Sequence, residues 1–215
     1  MGSFPVKAGQ TFLCIGDSIT DCGRRAQLAP FGDGYMSLFR ELAIVRHPER
    51  NIRWINRGIS GNRVSDLRNR WEDDVIREKP DWLSIKIGIN DLHSHLGNGE
   101  KKDAPDAFRQ NYTEILERTK DATKARIVLI EPFYLSKDVE GESQRTRVLR
   151  LLPEYLKVVR GMAAKYKALH VPTQQIFEVQ MKHRAPNDFA PEPVHPYRLG
   201  HLVIAHALYE TLCES

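Results

Sequence analysis

A serine hydroxyl becomes a nucleophile at neutral pH only when an imidazole takes its proton during attack, and this chain carries the parts for that chemistry at separated points. Ser18 stands in Gly16-Asp17-Ser18-Ile19-Thr20, directly after the apolar run Thr11-Phe12-Leu13-Cys14-Ile15, where a strand ends and a glycine lets the chain turn sharply. His195 is the candidate base, held in Pro193-Val194-His195-Pro196 by proline-fixed backbone ahead of a helix. Glu192 lies three residues upstream, a spacing that lets its carboxylate fold back onto the ring nitrogen facing away from the serine. Such a carboxylate fixes the tautomer and stabilises the imidazolium formed in the transition state. Its extra methylene relative to aspartate displaces it by about 1.5 Å, so Asp188 stands as the reserve.

Acyl transfer also places negative charge on the former carbonyl oxygen, and donors must already point there. Gly58-Ile59-Ser60-Gly61-Asn62 and Gly88-Ile89-Asn90-Asp91 each follow a predicted strand. The Ser18 N–H, the Gly61 N–H and the Asn90 side-chain amide make the candidate oxyanion set, with glycine permitting close backbone approach and the amide donating without a charge.

The elements that must hold these parts can be read from the pattern. Short, nearly continuous apolar runs recur at Thr11 to Ile15, Ile52 to Ile55, Leu83 to Ile87, Ile127 to Ile130 and Leu169 to Val171, as strands covered on both faces require. Helix-period segments lie between them, for example Val64, Leu67, Trp71 and Val75, then Phe108, Tyr112, Ile115 and Leu116. This βαβ alternation predicts an α/β fold: a five-stranded parallel sheet in a three-layer α/β/α sandwich, with the glycine-bearing motifs meeting beyond the C-terminal strand ends. Trp82 opens a predicted buried strand and reads as core. A last helix is expected over 197–212, with Leu199, Leu202, Val203, His206 and Tyr209 as its inner stripe, and long irregular segments at His93 to Pro105 and Pro132 to Glu142.

The 215 residues suit one domain spanning 1–215, and 41% hydrophobic content supports a sizeable core. Net charge is +4, from 32 basic and 28 acidic residues intermixed along the chain, which gives no footprint for nucleic acid. The basic stretch Gln144 to Arg150 reads as a solvated helix face. Cys14, Cys22 and Cys213 lack any Cys-x-x-Cys spacing, which argues against a disulfide framework and a zinc site. His93-Ser94-His95 lacks partner carboxylates, so no metal and no cofactor are expected. The N-terminus does not read as a secretory signal, and no segment has the roughly 18 to 20 apolar residues that span a bilayer. A cytoplasmic protein without membrane or nucleic-acid partners is expected.

The motifs resemble the sequence blocks of the SGNH hydrolases, also called the GDSL esterase and lipase family. Ser18 matches the block-one nucleophile in Gly-Asp-Ser, Gly61 the block-two glycine, Asn90 the block-three asparagine in Gly-x-Asn-Asp, and His195 the block-five histidine; the blocks span residues 12 to 201. The resemblance implies a flavodoxin-like fold. The stretches 12–24, 56–62 and 79–91 are similar to bacterial intracellular acetylxylan esterases, which implies a carbohydrate O-acetyl esterase for xylo-oligosaccharides and, since some relatives form rings, a homo-oligomer. The chain departs from the family at block five, where Asp-x-x-His is usual and Glu192 stands in the aspartate position. Glu192, Asp188 and a Ser–His dyad aided by a backbone carbonyl all remain open for the third role. Asp17, Arg63 and His93 are candidate substrate contacts, although Asp17 and Asp21 can also accept backbone N–H bonds and hold the serine turn.

The expected activity is that of a metal-independent serine esterase forming an acetyl-enzyme on Ser18. An esterase, lysophospholipase or thioesterase for other acyl groups is the nearest alternative. A catalytically silent sugar-binding domain is the alternative if Glu192 marks decay of the triad.

Overall fold

The structure is a computed structural model that describes residues 3–98 and 101–215. In chain order its elements are β1 (Thr11–Gly16), α1 (Ser18–Asp21), α2 (Tyr35–Arg46), β2 (Arg53–Gly58), α3 (Val64–Asn69), β3 (Trp82–Lys86), α4 (Ile89–Asn98), α5 (Pro105–Ala122), β4 (Arg126–Ile130), α6 (Gln144–Tyr166), β5 (Leu169–Val171), α7 (Thr173–Gln180), α8 (Pro186–Phe189) and α9 (Arg198–Cys213). The strands form one parallel sheet in the order β2-β1-β3-β4-β5, with helices on both faces, as the alternation predicts. Strand order reverses between β1 and β3, where sheets of this kind leave a crevice beyond the carboxyl ends.

Register decides what meets there. Gly16 pairs with Gly58 on one side and with Lys86 on the other, so β1, β2 and β3 end level. The segments leaving them, which carry Ser18, Gly61 and Asn90, therefore start from one edge. Behind that edge β1 and β3 are buried along their whole length, and each enclosed Leu or Ile there contributes roughly 1.5–3 kcal/mol through burial. Trp82 is core, as expected, with Arg126 stacked over its ring at 4.3 Å.

Three expectations need correction. The second strand begins at Arg53 and runs to Gly58, past the apolar run, because its ladder continues beside β1 to the level of Gly16. Most of the expected loop from His93 to Pro105 is structured: α4 reaches Asn98 and a short 3₁₀ turn covers Lys101–Asp103, while 99–100 lie outside the described residues. Ile89, Leu92 and Leu96 supply a helical apolar stripe that the surrounding Gly, His and charge obscured. On α9 the inner face carries His201, Ile204, Ala205, Leu208, Tyr209 and Leu212, whereas Leu199, Leu202 and His206 face outward. That helix is apolar on nearly every side, so periodicity alone offered two stripes. His201 goes inside because its Nδ1 accepts the backbone N–H of Tyr35 at 3.2 Å, satisfying a donor in the first turn of α2.

The segment from Pro132 to Glu142 is irregular, as expected, but residues 132–136 are buried. Its Leu135 N–H donates to Pro193 O at 2.8 Å, which ties down the loop leading to His195. Arg145, Arg147 and Arg150 lie on the exposed side of α6, the solvated face read from the sequence.

Candidate active site

Ser18 is the first residue of α1, and the turn that presents it is held by buried polar contacts. Asp17 caps the helix, its Oδ1 accepting the Ile19 N–H at 3.0 Å. Its side chain is 0% exposed, so Asp17 belongs to the turn and is not a substrate contact. Gly16 remains within β1, and what requires glycine there is room: a Cβ would sit 2.3 Å from Lys86 O. After one turn the helix ends at Cys22, whose backbone is left-handed at φ 39 and whose N–H donates to Ser18 O at 3.0 Å. A non-glycine residue in that conformation costs on the order of 1–2 kcal/mol, a local cost carried at the candidate nucleophile.

Asp21, on the same short helix, reaches across to the segment after β2. Its Oδ2 accepts the Ser60 N–H at 3.0 Å, the Ser60 hydroxyl at 3.2 Å and Arg25 Nε at 2.9 Å. Burial pushes this carboxyl up, but the Ser60 and Arg25 contacts outweigh it and hold it below the usual carboxylate range. Next to Ser60, Gly61 has φ +81, and a Cβ there would meet nothing within 4 Å. Backbone conformation, not close approach, is what requires glycine at 61.

Ser18 Oγ and His195 Nε2 are 2.9 Å apart, although 177 positions separate the two residues in the chain. On the other side of the ring, His195 Nδ1 lies 2.5 Å from Glu192 Oε1. Glu192 Oε1 also accepts the His195 backbone N–H, and Oε2 the Val194 N–H, both at 2.8 Å. The longer side chain is thus accommodated by folding over its own loop. Burial pushes the Glu192 carboxyl up, and these two N–H groups with the imidazole more than offset it, leaving it below the ordinary value. Asp188 sits on α8, exposed, with Arg184 3.9 Å away. Hydroxyl, imidazole and carboxylate in this succession can pass the serine proton to histidine and hold the resulting cation.

A cavity of about 730 Å³ opens over Ser18 and is lined in part by Gly61, Asn90 and His195. Asn90 Nδ2 donates to Asn62 O at 3.0 Å, which fixes the amide and leaves its second N–H available. The following residue, Asp91, is buried and accepts the Val64 N–H at 3.1 Å, tying α4 to the start of α3; burial pushes its carboxyl up to about 8. Arg63 is not among the cavity's lining residues. Its guanidinium is engaged by Asp103 at 2.8 Å and Asp66 at 3.5 Å, so the expected substrate contact is an internal brace. His93 is not among the cavity's lining residues, but its half-buried ring on α4 feels the charges of Glu192 and His195 and stands edge-on to Tyr134 at 6.0 Å between ring centroids.

Sequence reading missed Cys22, Asp33, Arg198 and His201, which line the cavity. Arg198 follows His195 by three residues, and Asp33 sits between two glycines, a turn signal that could have drawn attention to it.

The chain matches the GDSL-like lipase/acylhydrolase family over residues 14–203. It belongs to that family. Among relatives, it is 37% identical to an acetylxylan esterase of Geobacillus stearothermophilus over 210 residues, 94% of this chain and 93% of that one. The crystal structure of an acetylxylan esterase from Geobacillus stearothermophilus superposes with a TM-score of 0.87 at 36% identity, covering 96% of this chain and 95% of the other. Catalytic mutants of that esterase with a serine, a histidine or an aspartate replaced by alanine have also been solved, and they match with a TM-score of 0.86. An alpha/beta hydrolase from the metagenome of Lake Arreo, Spain, matches at a TM-score of 0.86 and 31% identity over 99% of this chain and all of that one, 100%. As a member of the GDSL-like family with these relatives, the chain is a carboxylic ester hydrolase. With Glu192 in place beside His195, and with an acetylxylan esterase as a relative, the silent sugar-binding alternative is not favoured.

Proposed function

We propose that this GDSL-like hydrolase removes acetyl groups from acetylated xylo-oligosaccharides through an acetyl-enzyme on Ser18. The observation that carries the reading is the 2.9 Å approach of Ser18 Oγ to His195 Nε2, with Glu192 on the far side of the ring. Ser18 Oγ attacks the acetyl carbonyl as His195 Nε2 takes its proton. Negative charge on the carbonyl oxygen is met by the Ser18 and Gly61 N–H groups and the Asn90 amide. The tetrahedral intermediate collapses by breaking the bond to the sugar oxygen, to which His195 returns the proton. Water then repeats the sequence on the acetyl-enzyme, releasing acetate and restoring Ser18. Glu192 keeps the Nδ1 proton in place throughout.

The substrate class is supported by the relatives' activity and by the cavity. Its wall carries Asn90, Asp33, Arg198 and His201, groups that suit a hydroxyl-rich alcohol better than a fatty chain. The test is a panel of acetate, butyrate and octanoate aryl esters together with acetylated xylo-oligosaccharides, run on wild type and Ser18→Ala. Acetate preferred over octanoate, sugar deacetylation, and loss of both in the variant are expected. A preference for octanoate without release of acetate from the sugar would contradict the reading.

We further infer one domain over 1–215, cytoplasmic residence and self-association. The free thiols of Cys14, Cys22 and Cys213 suit a reducing compartment, and no helix among the described residues is long and apolar enough to cross a membrane. Leu199, Leu202 and Val203 line a groove of about 630 Å³ on the outer side of α9, a surface suited to a second copy. Sedimentation of wild type and Leu202→Glu tests this, with a smaller species expected for the variant.

A further inference from the structure

Two charged side chains stand on the wall of the Ser18 cavity. Asp33 lies in the connection from α1 to α2, and Arg198 is the first residue of α9; both are exposed, and both line the same cavity as Ser18 and His195. Neither side chain has a hydrogen-bond or ion partner among the described residues. Arg198 is also misplaced for helix stability, since a cation in the first turn opposes the helix dipole. Polar neighbours in the cavity are engaged: Ser60 Oγ donates to Asp21, Asn90 donates one of its two amide hydrogens to Asn62 O, and His201 accepts the Tyr35 N–H.

An unpaired carboxylate and an unpaired guanidinium beside a nucleophile offer a complementary set for one kind of alcohol. Sugar hydroxyls both donate and accept. A carboxylate accepts hydrogen bonds from their O–H groups, and the planar guanidinium fork can donate to two neighbouring oxygens at once. Alkyl and aryl alcohols with a single oxygen use neither. We propose that Asp33 and Arg198 form the subsite that grips the vicinal hydroxyls of the sugar being deacetylated, making them the specificity-determining residues of this hydrolase. This rests on the carbohydrate ester reading above and names the residues that select that substrate class.

The experiment measures kcat and KM for an acetylated xylo-oligosaccharide and for an aryl acetate in wild type, Asp33→Ala, Arg198→Ala and Arg198→Lys, with circular dichroism confirming the fold. Losing a charge-assisted hydrogen bond should lower the ratio of sugar to aryl kcat/KM by about tenfold to a hundredfold in each alanine variant. KM for the sugar should carry the change, and Arg198→Lys should recover part of it. Ratios within about twofold of wild type in both alanine variants, in an enzyme that does deacetylate the sugar, overturn the subsite alone. A wild type that leaves the sugar esters untouched overturns the carbohydrate reading, and the subsite with it.

Discussion

Glu192 contacts His195 twice through one oxygen: Oε1 lies 2.5 Å from the ring Nδ1 and 2.8 Å from the same residue's backbone N–H. The second oxygen accepts the Val194 N–H, so the carboxylate is fixed before any substrate arrives. An aspartate has one methylene fewer with which to fold back over this loop. The glutamate closes a local hydrogen-bonded ring on its own backbone, and on the proposed mechanism it orients the imidazole from there.

That arrangement ranks the acidic residues. Glu192→Ala should lower kcat by about 10³ to 10⁴, the scale seen when a triad carboxylate is lost. Asp188→Ala, which removes only an exposed group near Arg184, should stay within about twofold of wild type. Steady-state kinetics on an aryl acetate checks both; the opposite ranking would remove Glu192 from its role.

The difference between what the sequence shows and what it hides lies in the kind of contact involved. The sheet, its order of elements and the meeting of Ser18, Gly61, Asn90 and His195 at one edge were legible because strand runs and glycine turns are local signals and parallel register is set by topology. Arg63 was misread because its partner, Asp103, lies 40 residues away on a segment whose structure was not evident from its composition. Asp17 carried two readings, turn support and substrate contact, because a helix cap and a binding carboxylate look alike in a sequence; its burial and its bond to the Ile19 N–H favour the turn. Asp33 and Arg198 went unseen because a turn between two glycines and the start of a helix carry no chemistry by themselves, and only the folded cavity puts them on the wall that Ser18 also lines.

Asp21 links the turn that carries Ser18 to the segment that carries Gly61, the proposed oxyanion donor, through Ser60. Asp21→Ala should free Ser60 and Gly61 together and leave the Ser60 N–H without its acceptor, costing about 1–3 kcal/mol of stability. Turnover should fall about tenfold or more, because displaced oxyanion donors act on the transition state. Chemical denaturation and kcat measured on the same preparation check this; a stability loss with unchanged kcat would show that Gly61 needs no such anchor.

His201 gives the fold a pH dependence of known sign. Burial first, then the charge of Lys86, push its imidazole down to about 4, while Nδ1 accepts the Tyr35 N–H as a neutral ring must. The unfolded chain therefore binds a proton near pH 6.5 that the folded chain refuses until about pH 4. This stabilisation is complete above the unfolded value and is lost as pH falls toward 4, up to about 3 kcal/mol in all. In His201→Asn, whose amide oxygen can take the place of Nδ1, the difference in stability between pH 7 and pH 4.5 should shrink. Equilibrium denaturation at several pH values tests it, and an equally steep acid loss in the variant would place the sensitivity elsewhere.

The central claim is that Ser18 becomes covalently acylated with His195 as its base. Intact-mass spectrometry after brief reaction with a serine-directed phosphonate, followed by peptide mapping, addresses it directly. The expected result is one adduct per chain on Ser18, absent from Ser18→Ala and formed far more slowly in His195→Ala. An adduct on another residue, or equal labelling of Ser18→Ala, would contradict it.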